Sequence, residues 1–331
     1  MDPITHGLIG AAAAQSVANR EKLRMATLTS AAAAMLPDVD VFLGNSADPL
    51  LNLELHRQFT HSLIFIPVGA LLATLLLWWL VKKKLTFKES YLFSLLGFAS
   101  GGIADLFTSY GVQLLWPFTE ERISWNLISV FDPLFSLGLI IAVALAIYSY
   151  KKKFGRIALG WAGLYLLFGL VQQNRAEKAA LQLADSRGHQ IQQLITKPTI
   201  ANELLWSIRY TSADSLHAYG IQLLPFAEPV LYEGKTVALL NWQQKYERYR
   251  GTTLFKDIQR FSTLSEGILI AHPDYKNVIG DGRYAMLPTS ISPLWGIEAD
   301  TAKPGKHITF KTYRDPSKEV RQRFKEMLLG H

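Results

Sequence analysis

His6, His56, His61, Asp38, Asp40 and Asp105, all in the first third of the chain, are of the residue types that hold a divalent metal ion. Imidazole and carboxylate donors mixed in this way suit zinc, manganese or iron, with zinc expected first. Asp38 and Asp40 flank one valine in "LPDVDVF" (36–42), at the end of an alanine-rich apolar run. A carboxylate beside hydrocarbon is costly unless a partner offsets its charge. A metal would neutralise both aspartates and acidify a bound water toward neutral pH. The six residues suffice for one metal with open positions or for two bridged by a carboxylate. Asp40 is also a candidate general base if it is not a ligand. Arg57, between the histidines of "HRQFTHS" (56–62), is a candidate grip for a substrate phosphate or carboxylate. Taken singly, "DVD" fits a solvated turn, "HRQFTH" a polar loop and His6 an interfacial histidine. Asp105, after "FASGGIA" in an apolar stretch, is the residue that demands a partner.

Apolar segments must position these residues. Six precede residue 172, at 4–18, 25–36, 62–81, 91–108, 134–150 and 157–171. The third is long enough to span, since about 20 residues cross a bilayer. The first two are short and rich in small residues, so they cross obliquely or form a buried hairpin. Basic residues cluster at Arg20, Lys22 and Arg24, at Lys82, Lys83, Lys84 and Lys88, and at Lys151, Lys152, Lys153 and Arg156. These breaks follow the first, third and fifth segments, which predicts that all three face the cytoplasm. The N-terminus, all six candidate residues and everything after residue 171 then lie on the extracytoplasmic side. Thr60 or Ser62 is expected to cap the third helix, and Asp132 to cap the fifth ahead of Pro133. Trp78, Trp79, Trp116 and Trp125 fit an interfacial aromatic belt. The N-terminus lacks the basic start of a secretory signal and reads as retained.

After residue 171 the composition becomes polar. "QQNRAEKAALQLADSRGHQIQQL" favours helix, strands are expected at 204–211, 215–224, 266–273 and 307–313, "GDG" (280–282) reads as a hairpin turn, and a helix closes the chain at 317–329. His217, His272 and His307 read as structural. The expected fold is an α-helical polytopic membrane domain (1–171, about six membrane segments) followed by a small extracytoplasmic α+β domain (172–331). The chain has no cysteine, which excludes disulfides and thiolate metal sites. Its net charge of +7 sits in short loops between apolar runs, so nucleic acid is not an expected partner. No P-loop, Gly-x-Ser-x-Gly elbow or HExxH helix occurs, which argues against nucleotide hydrolysis, serine esterase chemistry and zincin proteolysis.

"DPITHGLIG", "LPDVDVF", "HRQFTHSL", "DLFTSYGVQLLWPF" (105–118) and "ISVFDPLF" (128–135), in that order over residues 1–170, resemble the YdjM-like family of bacterial LexA-regulated, membrane-bound metal-dependent hydrolases. "GDGRYAMLP" and "PLWGI" resemble the extension of its longer members. The resemblance implies an inner-membrane hydrolase with His6, Asp38, Asp40, His56, His61 and Asp105 as metal-ligand candidates. Members commonly carry a histidine four residues before the aspartate that matches Asp105. Here that residue is Gly101, which opens a gap beside Asp105 or allows close helix packing.

These readings combine into a metal-dependent hydrolase at the extracytoplasmic membrane face, acting on a lipid or other amphiphilic phosphoester. The alternative is a non-catalytic scaffold that engages an envelope protein through its C-terminal domain and keeps a structural or degenerate metal site.

Overall fold

The computed structural model describes residues 1–331. The chain divides into two compact units. The first holds residues 1–43, 55–171 and 200–202, and the second holds 44–54, 172–199 and 203–331.

The first unit is helical: α1 (Pro3–Val17), α2 (Leu23–Met35), α4 (Ile66–Val81), α5 (Phe87–Ala104), α6 (Pro133–Ser149) and the first part of α7 (Lys153–Ser186). The short helix α3 (Leu51–Leu55) falls at the boundary between the units. Six apolar helices thus stand where the sequence predicts them, but length separates them as membrane elements. Phe87–Phe107 and Lys153–Ser186 are long and apolar enough to cross a bilayer, and a third span exists if Leu51–His61 and Ile66–Val81, bent by 89°, act as one. At 15 and 13 residues, α1 and α2 reach only about 20 Å. The third helix begins at Ile66 rather than at 62, because Pro67 sets its first turn. No side chain caps it, so the expected cap from Thr60 or Ser62 is replaced by other bonds described below. Asp132 does cap α6, accepting from Phe135 N at 3.0 Å, and takes a second bond from Tyr165 Oη at 2.9 Å.

The first unit is apolar outside and small or polar inside. Leu72, Leu75, Leu76 and Trp79 of α4 and Leu137 and Ile141 of α6 are exposed, whereas Gln15, Thr27, Ser30, Thr74, Ser90 and Ser94 are buried. That inversion suits a hydrocarbon surround. Glycines bring α1, α2 and α5 together. A Cβ at Gly97 would lie 2.1 Å from Ser30 O, and one at Gly101 would lie 2.3 Å from Ala34 O. Close packing, not an open gap, is therefore what Gly101 provides.

The polar stretch after residue 171 does not start a separate helix: α7 runs unbroken for 34 residues from the first unit into the second. The second unit adds β1 (Gln193–Pro198), β2 (Leu205–Ser212), β3 (Ser215–Gln222), β4 (Val230–Tyr232) and β5 (Thr236–Ala238), an antiparallel sheet in the order β1-β2-β3-β4 with β5 also paired to β3. Two short helices follow, α8 (Trp242–Lys245) and α9 (Thr253–Leu264). A second antiparallel sheet holds β6 (Leu269–Ala271), β7 (Val278–Asp281), β8 (Trp295–Glu298) and β9 (Thr309–Thr312), and α10 (Lys318–Leu329) ends the fold. The tight hairpin lies at Ala213–Asp214, both at positive φ, between β2 and β3. "GDG" is not a tight hairpin: Gly280 and Asp281 end β7, only Gly282 enters a turn with Arg283, and Asp281 pairs with Arg283.

Residues 44–54 leave the first unit and join the core of the second. Leu50 is fully buried in a cluster with Trp242, Leu254, Ile258 and Phe261, and Arg260 bonds Asp48 and Glu54 at 2.7–3.1 Å. Leu50→Ala is expected to destabilise the second unit by about 2–5 kcal/mol, the usual cost of such a cavity. Urea unfolding of the full chain followed by proteolysis measures this, and an unchanged midpoint would show that residues 44–54 are not part of that core.

Candidate metal centre

Four separate segments deliver the candidate residues. Asp2 caps α1 through Thr5 N, and Pro3 sets its first turn, which leaves His6 buried one turn in. Pro37–Phe42 forms a 3-10 turn carrying Asp38 and Asp40. At about 120° per residue, side chains two apart in such a turn diverge, and these two reach different partners. A second 3-10 turn, Phe59–His61, presents His61, and a third, Asp105–Phe107, holds Asp105 at the end of α5.

Asp38 and Asp105 lie between two histidines. His6 Nε2 is 3.7 Å from Asp38 Oδ2 and 3.4 Å from Asp105 Oδ1. His61 Nε2 is 3.6 Å from Asp38 Oδ1 and 3.3 Å from Asp105 Oδ2. None of these four contacts has hydrogen-bond geometry. They match the edge of a coordination tetrahedron, which for zinc–ligand bonds of about 2.0–2.1 Å is roughly 3.4 Å. Both nitrogens of His6, both oxygens of Asp38 and Nε2 of His61 are buried with no hydrogen-bond partner. Buried polar atoms without partners are rare, and a group of them from separate segments marks a place for an ion or ordered water. One donor atom each from His6, Asp38 and Asp105 can be chosen so that all lie within 4.8 Å of one another. The donor set therefore fits a divalent metal.

Asp40 and His56 stand one layer behind. Asp40 Oδ1 accepts from His56 Nδ1 at 2.6 Å, and its Oδ2 accepts from Arg57 N at 2.9 Å and from the Thr60 hydroxyl at 2.6 Å. Burial raises the Asp40 pKa, but the neighbouring His56, His61 and Thr60 outweigh it and hold the carboxyl below its ordinary range. Because the Thr60 proton goes to Asp40, Thr60 Oγ1, 3.0 Å from His61 Nδ1, accepts the hydrogen on that nitrogen. That fixes the His61 tautomer and turns the Nε2 lone pair toward Asp38 and Asp105. Thr60 is the participant that sequence reasoning assigned to a helix cap; its place directly before His61 was the available signal.

Arg57, expected to face a substrate, faces inward. Its Nε is 2.9 Å from Asp105 Oδ2, its Nη1 donates to Thr108 Oγ1 at 3.3 Å, and its guanidinium lies 5.4 Å from the Tyr110 ring centre. Its backbone is left-handed, with φ 60°. The Met1 α-amino group contacts Asp105 Oδ1. Asp105 is thus flanked by a guanidinium, an amine and two imidazoles. Gly102, beside Gly101, faces His61: a Cβ there would rest 3.6 Å from His61 Cα, an ordinary contact.

A second His/Asp group, Asp48, Asp257 and His307, lies in the second unit. Arg260 occupies it, and Asp257 already accepts from Arg260, His307 and Ile308 N, so its partners are complete. His217 bonds Thr236 Oγ1 at 2.9 Å.

Apolar helices wrapped around a buried His/carboxylate centre define a membrane-associated helical protein with a candidate metal site. Residues 1–176 match the YdjM inner membrane protein family, and the chain belongs to that family. It is also similar to the uncharacterized protein YfhP of Bacillus subtilis (strain 168), with 27% identity over 194 residues. That match covers 57% of this chain and 57% of YfhP. No solved structure matches the chain.

Proposed function

We propose that this protein is a membrane-embedded, metal-dependent phosphoester hydrolase with a single metal. The observation that carries the reading is the group of partnerless buried donors on His6, Asp38 and His61 around Asp105. His6, Asp38 and Asp105 would hold the metal, leaving positions open as in catalytic sites. A divalent metal supplies a Lewis acid and makes a nucleophile available from water near neutral pH. One metal is favoured over two by charge. Asp38 and Asp105 contribute two negative charges, of which Arg57 balances one, while burial lowers the Met1 amine to about 6 and leaves it largely neutral near pH 7. One divalent ion leaves a positive site suited to an anionic phosphate, whereas two would leave three positive charges in a buried space.

His61, its Nδ1 hydrogen held by Thr60 and Asp40, would accept a proton at Nε2 and pass it on. Arg57 would keep Asp105 aimed rather than bind substrate, and His56 would hold Asp40. The substrate class is a lipid or similar amphiphile, because the site lies among membrane helices. The three basic turns support a site on the extracytoplasmic side. Lys22 pairs with Glu89 at 2.5 Å, joining the α1–α2 turn to the start of α5, while Ala18, Asn19 and Arg20 share a cavity with Lys151, Lys152 and Lys153. The basic turns therefore gather at one end of the first unit, which the charge bias of membrane proteins assigns to the cytoplasm.

Detergent-purified wild-type chain should contain one zinc, manganese or iron per molecule by elemental mass spectrometry and release phosphate from a lipid phosphomonoester. His61→Ala should keep the metal and lose phosphate release by about 100-fold or more, the range of general acid–base catalysis. A wild-type protein that takes up no metal on reconstitution would leave the scaffold reading in its place.

A further inference from the structure

The basic end of the first unit carries a second binding feature, unconnected with the metal centre. A cavity of about 370 Å³ is lined by Ala18, Asn19, Arg20, Tyr150, Lys151, Lys152 and Lys153. Four cations and no carboxylate line it. Its walls are held in place. A Cβ at Gly155 would come within 2.6 Å of Gln15 Cβ, so the start of α7 is pressed onto the end of α1. Arg156 Nε donates to Ser16 O at 3.3 Å, and the Arg24 guanidinium lies 4.6 Å from the centre of the Tyr150 ring. Arg24 and Arg156 are thereby occupied with the walls, and Lys153 Nζ lies 5.0 Å from the centre of the Phe154 ring, while Arg20, Lys151 and Lys152 line the space between them. Beside the cavity, α6 and α7 turn Leu145, Tyr148 and Ile157 outward, an apolar surface along which acyl chains can lie.

We infer that this cavity binds the phosphate-bearing headgroup of an anionic phospholipid. The cations match the phosphate, and basic pockets between membrane helices at the cytoplasmic face are suited to such headgroups. The adjoining apolar helix faces are what select a lipid over a free anion. The volume lies within the range of small-ligand sites.

Binding of a fluorescent phosphatidylglycerol to the full-length protein in zwitterionic micelles, with phosphatidylcholine as reference, tests this. Wild type should prefer phosphatidylglycerol by about tenfold or more, the scale expected for several basic residues near one headgroup. Lys151→Gln with Lys152→Gln should remove most of that preference. Lys82→Gln with Lys83→Gln, equal in charge but outside the cavity, should leave it within about twofold, since distant exposed charges are screened. Equal losses in the two double variants would reduce the effect to diffuse surface charge and overturn the inference. Displacement by inorganic phosphate at concentrations matching the lipid would also overturn it, by showing a free-anion site. Should the Lys151/Lys152 variant lose its thermal transition, Arg20→Gln alone reads the same preference, and full retention there would count against the cavity.

Discussion

Asp38→Ala should abolish metal binding while leaving the fold intact, and Asp105→Ala should abolish both. The difference follows from what each carboxylate faces. Asp38 has two buried oxygens without hydrogen bonds, and the basic groups within 4 Å of them are the imidazoles of His6 and His61. Its removal strands no permanent charge. Asp105 is fully buried against the Arg57 guanidinium, itself 3% exposed. Deleting Asp105 leaves that guanidinium buried and unpaired, a change that costs about 3–5 kcal/mol. A chelator experiment gives the sign for the metal itself. An ion that binds only the folded state raises stability by RT ln(1 + [L]/Kd), about 2.7 kcal/mol when free metal is 100 times Kd. Chelation should therefore lower the melting temperature of wild type and leave that of Asp38→Ala unchanged. If chelation lowers both equally, the metal sits elsewhere; if it lowers neither, the donors close on a proton instead. Thermal unfolding in detergent with matched metal analysis separates these cases.

Which residues meet was readable from apolar segmentation and the sidedness of basic turns. Depth alone brought His6, Asp38, His61 and Asp105 toward one level, and the structure gathers them. What sequence could not convey was the layering. Asp40 and His56 have the same types as the inner residues, and only the twist of a 3-10 turn sends Asp40 back to Thr60 and the Arg57 backbone. Arg57 looked free because its partner, Asp105, is 48 positions away. In the second unit the errors have a common cause. Strands such as β1, β8 and the short β4 and β5 gain their order from partners across the sheet rather than from local pattern. The excursion of residues 44–54 into that unit left no local mark, since burial of Leu50 depends on Trp242 and Ile258 far along the chain. Continuity of α7 was missed for the opposite reason. Composition changes at residue 172, yet neither Gly nor Pro occurs from 170 to 187, and polarity alone does not end a helix.

Gly101→His, which installs the residue that the family resemblance implies beside Asp105, should weaken this protein rather than improve its metal binding. The first atom of any side chain at Gly101 would lie 2.3 Å from Ala34 O and 3.1 Å from Ala34 C, both backbone atoms of α2. Backbone cannot swing aside as a side chain can, so α2 and α5 must separate. Overpacking of this kind costs about 1–3 kcal/mol for small additions and more for an imidazole. The separation also moves the turn that follows α2, and with it Asp38. Gly101→Ala should show the steric part alone, with a lower melting temperature and metal content still near wild type. Gly101→His should show a larger drop and reduced metal. The glycines opposite Ser30 and Ala34 thus read as one packing seam, in which this chain gives the space of a ligand to helix contact and relies on His6 from another segment. Higher metal affinity in Gly101→His, with stability unchanged, would instead mean that α2 and α5 can part cheaply and that the centre lacks a donor.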